Sequence, residues 1–362
     1  MHWWEIPREW QTFAIMLPRI NTSHMTDEIG ASERLPTIRD IAARAGVAAS
    51  TVSRALSNPD RVNPRTRKKI EQIAAELEYV PSTQARGLSS GRTGTVALLV
   101  PDVTNPFYFD IVRGTQAQLK AAGYTQLLVD TEEATDVELQ TLHRLRRSTD
   151  GIILAASRLT DQQLSAVAHQ HPLVTINRPS SEAPTVLLDT ADAMVQAVDH
   201  LASLGHKSVT YASGPVSSWS NHRRWQAIEE AATRRSMTAH RIGPYIPKRS
   251  SGAAAADAAL STKATAVIAF NDLLAIGMLQ RLEERSVDVP RDISLIGCDD
   301  IFGADFCNPP LTTISCPIEQ AGRVSVSMLM AQLNPLAGNT VRQLATLPAH
   351  LVVRSSTDNA RS

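Results

Sequence analysis

The 362-residue chain has no apolar run long enough to span a bilayer. Its first residues lack the cationic start and small-residue cleavage site of a secretory leader. Cysteine is scarce: Cys298, Cys307 and Cys316 sit nine residues apart, a spacing that matches no metal or redox motif. They read as ordinary buried thiols in a reducing compartment, the cytoplasm. No nucleophile elbow, phosphate loop or metal-ligand spacing occurs, so no metal and no cofactor is expected. An enzymatic reading would rest on Asp272, Asp299 and Asp300 alone. There is also no net charge, yet its distribution is uneven.

Residues 36–93 hold ten basic and five acidic side chains, and the remainder carries the compensating acidic excess. A small basic segment on an acidic body points to a polyanion partner for that segment. Residues 1–35 fit neither part. They contain three of the five tryptophans and read as a disordered extension, with Met25 an alternative start; a packing arm is the other reading.

The basic segment reads as three helices. Thr37 with Asp40 suits a first-turn cap, Ile38, Ile41, Ala42 and Ala45 keep helical spacing, and Gly46 can end the helix. In "GVAASTVSRAL" (46–56), Val52, Ala55 and Leu56 share one helical face. Ser50, Ser53, Arg54 and Ser57 share the other. A solvated face would favour Glu and Lys. Short hydroxyls let another surface approach, and the lone guanidinium reaches past them; in a major groove, arginine pairs bidentately with guanine. Asn63 and Pro64 open a third helix. Its Arg65, Arg67, Lys68 and Lys69 crowd the positive end of the helix dipole, each at a cost of ~0.3–1 kcal/mol, which implies an anion there. Two short helices, a tight turn and a third helix make a helix-turn-helix module.

From Thr95 onward, short apolar runs alternate with helical stretches: 95–100, 125–129, 151–155, 173–176, 208–213, 265–270 and 293–297. This pattern predicts parallel sheets covered on both faces, an α/β class whose ligands bind beyond the carboxyl ends of strands. The strand ends select Asn105, Phe107 and Tyr108; Asn177 and Arg178; His222 and Arg224; Asn271 and Asp272; Asp299 and Asp300. Multidentate hydrogen bonders with flat apolar rings suit a polyhydroxylated ring such as a sugar. Plainer roles compete at some positions: Asp272 as a helix cap, Asp300 as a structural carboxylate, His200 and His206 as helix-terminal residues.

The stretches "DIAARAGV", "TVSRAL", "VNPRTRKKI", "LEYVP" and "ARGL", followed by "LGHK", "GPVSS", "FNDLLAIGML", "VPRDISLIGCDD" and "PPLTTI", resemble the LacI/GalR family of bacterial repressors across residues 36–354. The resemblance implies a helix-turn-helix DNA-binding domain (36–80), a hinge helix and linker (81–93), and a two-lobed effector and dimerisation domain like ribose-type periplasmic binding proteins (94–354). It assigns 94–188 and 316–343 to lobe 1, 189–315 and 344–354 to lobe 2, and leaves 355–362 as a tail. It places Ala49 and Ser50 at the operator-discriminating positions and Arg54 at the base-reading one. Thr37, Thr51, Ser53, Asn63 and Thr66 fall on phosphate contacts, and Ala85 and Leu88 on minor-groove contacts, Leu88 as an intercalating wedge. Asn105, Phe107, Tyr108, Asn177, Arg178, His222, Arg224, Asn271, Asp299 and Cys316 fall on the effector pocket. Four departures stand out. Ala48 replaces the usual capping serine, and Gly87 lies inside the hinge helix, where it costs ~1 kcal/mol relative to alanine. Asn177 replaces an aspartate, and Cys316 a glutamine.

The implied partners are a pseudo-palindromic double-stranded operator, a sugar or nucleoside-like effector, and a second copy of the chain, with no membrane. Only "RSSTDNARS" follows Val353, without leucine heptads, so a dimer is expected rather than a tail-joined tetramer. A transport sugar-binding protein is the other reading; the basic three-helix head argues against it.

Overall fold

A computed structural model describes residues 36–57, 59–79, 92–334 and 344–361. The N-terminal extension and the hinge positions Ala85 and Leu88 lie outside these described residues. The chain divides into two compact units, one ending at Arg86 and one beginning at Gly87.

The first unit contains α1 (Ile38–Ala45), α2 (Ala49–Ser57) and α3 (Pro64–Glu76). The Thr37 main-chain N–H and hydroxyl both donate to Asp40 Oδ2, at 2.7 and 2.6 Å, tying the first turn of α1. Gly46 ends that helix at a φ of 69°, in the left-handed region, and its N–H returns to the Ala42 carbonyl. The turn to α2 is therefore short, and the two helices pack on α3. Ile41, Ala42, Ala45, Val52, Ala55, Ile70, Ile73 and Ala74 form the buried core. The Ala48 carbonyl accepts from Thr51 N–H at 2.8 Å, so α2 opens on main chain alone where a serine hydroxyl would add a cap.

The second unit is built on two parallel sheets. The first, in order, is β11 (Leu344–Pro348), β5 (Thr185–Asp189), β4 (Leu173–Ile176), β3 (Gly151–Ala155), β1 (Thr95–Val100) and β2 (Thr125–Asp130). The second is β7 (Thr238–Ile242), β6 (Ser208–Ala212), β8 (Ala266–Ala269) and β9 (Ser294–Ile296). A short antiparallel pair joins β10 (Thr313–Ser315) to β12 (His350–Val352).

The alternation of faces along β1 explains why both sides of the first sheet are covered. Val96, Leu98 and Val100 pack under α4 (Phe107–Ala121) and α11 (Ile318–Leu333). Ala97 and Leu99 pack under α5 (Thr135–Leu145) and α6 (Asp161–Ala168). The second sheet shares its core with α7 (Thr190–Ser203), α8 (Trp219–Arg234), α9 (Gly252–Ser261) and α10 (Asp272–Glu284). Helices α4 and α11 touch through Gly114 and Gly322. A Cβ on Gly114 would strike the Glu319 carbonyl, and one on Gly322 the Ile111 carbonyl.

Two boundaries differ from the sequence expectation. Residues 344–348 pair in parallel with β5, so β11 is an edge strand of lobe 1 rather than part of lobe 2. "LATLP" is a short edge strand with a single buried side chain, and its place is set only by the neighbour it meets. Residues 355–361 are also no free tail. Ser356 is fully buried, its carbonyl accepts from Leu295 N–H at 2.8 Å, and its hydroxyl accepts from Thr312 N–H at 2.8 Å while donating to the Leu295 carbonyl at 2.6 Å. His206 is correspondingly more than a helix end: its ring meets Thr265, Ser294 and the Asp358 carbonyl.

Ser356→Ala strands the buried Thr312 N–H and removes the donor to Leu295. It is expected to cost about 1–3 kcal/mol, read as a lower urea midpoint at constant slope.

Candidate functional site

On the first unit, Ala49, Ser50 and Arg54 are exposed, Thr51 and Ser53 are half-buried, and Val52 and Ala55 face the core. Arg54 has no ion-pair or hydrogen-bond partner among the described residues, so its guanidinium is available. The side-chain oxygen of Asn63 accepts from Arg65 N–H at 3.0 Å, and Thr66 is half-buried in the first turn of α3. The basic cluster on α3 is partly spent within the fold. Arg67 pairs with Glu71 at 2.6 Å, and Lys69 donates to the Ala45 carbonyl at 2.9 Å, capping α1. Arg65 and Lys68 make no ion pair among the described residues, so the inference of an anion at this helix end rests on these two.

In the second unit, the backbone at several strand exits is unusual. Glu132 and Glu133 after β2, Ala156 after β3, Asn177 after β4, and Asp299 and Asp300 after β9 all have positive φ without being glycine. Such conformations cost of order 1–3 kcal/mol each and cluster at ligand clamps. Here all of them follow the carboxyl ends of parallel strands.

Arg224, on α8, is 4 % exposed. Its Nε donates to Thr190 Oγ1 at 3.2 Å, Nη1 to the Phe270 carbonyl, and Nη2 to Asp299 Oδ1 at 3.4 Å. The guanidinium lies 4.9 Å from the Phe270 ring centroid. One side chain thus gathers the exits of β5, β8 and β9. Burial pushes the Asp299 carboxyl up to about 6, against the opposing pull of Arg224. From lobe 1, Asn105 opens α4 by accepting Phe107 N–H at 3.1 Å, and the buried Phe107 and Tyr108 rings meet edge to face at 5.0 Å. Tyr108 lies within electrostatic reach of Asp299 on the opposite lobe. Cys316 shares the field of Asp299 and Arg224, and burial pushes its thiol up to about 12.

Other candidates are tied up locally. Asn177 Oδ1 accepts Leu188 N–H at 2.9 Å, joining the ends of β4 and β5. Asn271 caps α10 through Leu274 N–H at 3.0 Å and donates to the Pro247 carbonyl at 3.3 Å. Arg178 pairs with exposed Asp161 at 2.7 Å and donates to the Leu159 and Pro179 carbonyls, in a side groove of about 330 Å³ shared with Trp219. His222 is exposed and bonds back to the Ser218 carbonyl at 2.9 Å. Asp272 is fully buried; it accepts Thr313 Oγ1–H at 2.6 Å and Ile301 N–H at 3.0 Å. A Cβ on Gly297 would strike its carboxylate. Asp300 pairs with Arg354 at 2.6 Å.

The exits of β2 and β3 also carry polar groups absent from the sequence selection. Arg158 donates from Nε and Nη2 to Glu133, at 2.9 and 2.7 Å. Buried Glu138 accepts the Ser157 hydroxyl and, at 3.1 Å, Arg158 N–H. The strand-end rule reaches both Ser157–Arg158 and Glu132–Glu133 when applied to the exits of β3 and β2.

Residues 37–82 match the model of the bacterial regulatory proteins of the lacI family, and residues 198–357 match that of the periplasmic binding protein-like domain. The HTH-type transcriptional repressor CytR of Escherichia coli K12 is 32% identical over 337 residues, covering 90% of this chain and 97% of that protein. The chain belongs to the lacI family of bacterial regulatory proteins. The crystal structure of the lac repressor dimer bound to operator and the anti-inducer ONPF superposes with a TM-score of 0.79 at 27% identity, over 90% of this chain and all of that one. A LacI family regulator from Enterococcus faecium with bound ribose gives 0.66 at 27% identity, over 74% of this chain and all of that one. The protein is accordingly a helix-turn-helix, DNA-binding transcriptional regulator and not an enzyme, and the carboxylates Asp272 and Asp300 serve its architecture. No helix among the described residues is long and apolar enough to cross a membrane.

Burial, then Asp299, pushes the Asp272 carboxyl from 3.8 up to about 7. Its folded form holds the proton more tightly than the unfolded chain does. Its stabilising share is therefore present at low pH and is lost as pH rises through 7. Asp272→Asn keeps the shape but removes this dependence. Wild-type stability relative to the variant is expected to fall by about 2–3 kcal/mol from pH 5 to 8, measured by denaturant titration at each pH.

Proposed function

We propose that the protein is a cytoplasmic, homodimeric repressor whose operator affinity is controlled by a small polar effector, a sugar or nucleoside-like molecule, bound between the two lobes. The observation that carries this reading is Arg224: a buried guanidinium held by one carboxylate, one carbonyl and one hydroxyl, beside an aromatic face, where three strand exits meet. Hydroxyls of a ring ligand accept from Arg224 and donate to Asp299, while Phe107, Tyr108 and Phe270 supply apolar surface. The relatives support the class, since one is named for repression, one holds ribose and one is a dimer on its operator.

In a dimer, the two copies of α2 enter successive major grooves of a pseudo-palindromic site. Arg54 reads a base, and Ala49 and Ser50 select it. Thr37, Thr51, Ser53, Asn63 and Thr66 hold phosphates, and Ala85 and Leu88 enter the minor groove. Effector changes the relative rotation of the lobes, which orders or melts the hinge helices. The coupling is reciprocal: whatever factor effector imposes on DNA binding, DNA imposes on effector binding.

Arg54→Ala is expected to cost about 1–3 kcal/mol of operator affinity and to relax preference at one base pair of each half-site, in a binding assay against single-base operator variants. Unchanged preference would remove Arg54 from base reading. Arg224→Ala is expected to abolish the effector response while operator binding persists; loss of both together would place Arg224 in folding instead.

A further inference from the structure

The two lobes meet through apolar side chains. Leu273, Ile276 and Ile301 of lobe 2 pack against the core of lobe 1, and Cys316 packs against the cores of both. Such contacts are non-directional, so they tolerate sliding of one lobe on the other. Among the described residues, one ion pair joins the lobes: Lys248 Nζ lies 3.5 Å from Asp102 Oδ2.

Each partner is fixed by its own lobe. Asp102 follows β1, and its side chain is 9 % exposed. Its Oδ1 accepts from the Thr104 N–H and hydroxyl, at 2.9 and 2.6 Å, which leaves Oδ2 for Lys248. The N–H of Val103 is held by Asp130 at 3.0 Å. The same loop then runs into Asn105, Phe107 and Tyr108. On lobe 2, Asn271 Nδ2 donates to the Pro247 carbonyl at 3.3 Å. The residue that caps α10 therefore also places the chain just ahead of Lys248. Arg249 lines a cavity of about 420 Å³ with Lys248 and Thr104. It makes no ion pair among the described residues, so a second cation stands at the same junction.

A pair exposed on both sides would contribute little. Here one partner is a desolvated carboxylate whose only ion pair among the described residues is with Lys248. Separating the lobes would leave that charge to Thr104 alone, a cost that an exposed carboxylate would not incur. The pair thus favours the arrangement in which Tyr108 of lobe 1 lies within electrostatic reach of Asp299 on lobe 2. A ligand enclosed between lobes binds in proportion to the fraction of molecules in the enclosing state.

We infer that Asp102 and Lys248 are positioning residues for effector binding, an ion pair that holds the lobes in the arrangement that encloses the ligand. This rests on the reading above of a sugar or nucleoside-like effector between the lobes, and it assigns their closure to two named side chains.

The test is calorimetric titration of the full chain, Asp102→Asn, Lys248→Met and the double variant with ribose, glucose and the four ribonucleosides. Asp102→Asn keeps an oxygen for Thr104 while removing the charge. Lys248 is half-exposed, so its replacement disturbs no core. Wild type is expected to bind at least one probe. Each single variant is expected to bind that probe about 3- to 10-fold more weakly, and the double variant no more weakly than the worse single. These differences are expected to shrink in high salt. Lys248→Arg keeps the charge and is expected to bind as wild type does. Additive losses in the double variant, or a loss that salt does not narrow, would trace the effect to local packing and overturn the inference. Unchanged affinity in both single variants would overturn it as well. If wild type binds no probe, the sugar or nucleoside reading fails and the inference falls with it.

Discussion

The effector unit depends on one buried ion pair, Arg224 with Asp299. Neither side chain is stable alone in that environment: breaking a buried pair by removing one partner costs about 3–5 kcal/mol. Together they hold α8 against the exit of β9, and through Thr190 and the Phe270 carbonyl they reach the exits of β5 and β8. Because Thr190 opens the helix that follows the crossover from lobe 1, the same guanidinium touches the segment that joins the lobes. A ligand that competes for Arg224 therefore acts on the connection between lobes as well as on the pocket wall.

Asp272 supplies the rigid backing. Its carboxylate binds the Thr313 hydroxyl and Ile301 N–H, and it leaves no room for a side chain at Gly297. The loop that carries Asp299 is thereby fixed at both ends, and its left-handed residues can be held in place. Lobe 1 uses a similar device on a smaller scale: Glu138 anchors Ser157 and the main chain of Arg158, so Arg158 arrives at Glu133 in one orientation. In both lobes a buried carboxylate satisfied by neutral donors supports a largely buried ion pair on the adjoining loop.

The DNA-reading unit works by the opposite arrangement. Its helices are short, its core consists of eight small or aliphatic side chains, and the one cation on α2 has no internal partner among the described residues. The charges that look gathered for DNA on α3 divide in the fold. Arg67 and Lys69 close internal contacts, which leaves Arg65 and Lys68 for a phosphate.

Much of this was legible from the chain alone. Helical spacing separated Val52 and Ala55 from Ser50 and Arg54, because a helix has only two faces and a period that the residue order must obey. Apolar runs located the buried strands, and the strand-end rule found Arg224 and Asp299. Edge and connecting strands were not legible: 185–189, 238–242, 313–315, 344–348 and 350–352 are short, and most are half-exposed, so their identity comes from the neighbour they pair with. Likewise, Asn177 and Asn271 look like ligand amides in sequence, yet their oxygens serve Leu188 and Leu274. Sequence determines which groups are available and roughly where along the chain they surface. Only the tertiary structure decides which are already spent, because a hydrogen bond or ion pair is made between residues that the chain order keeps far apart.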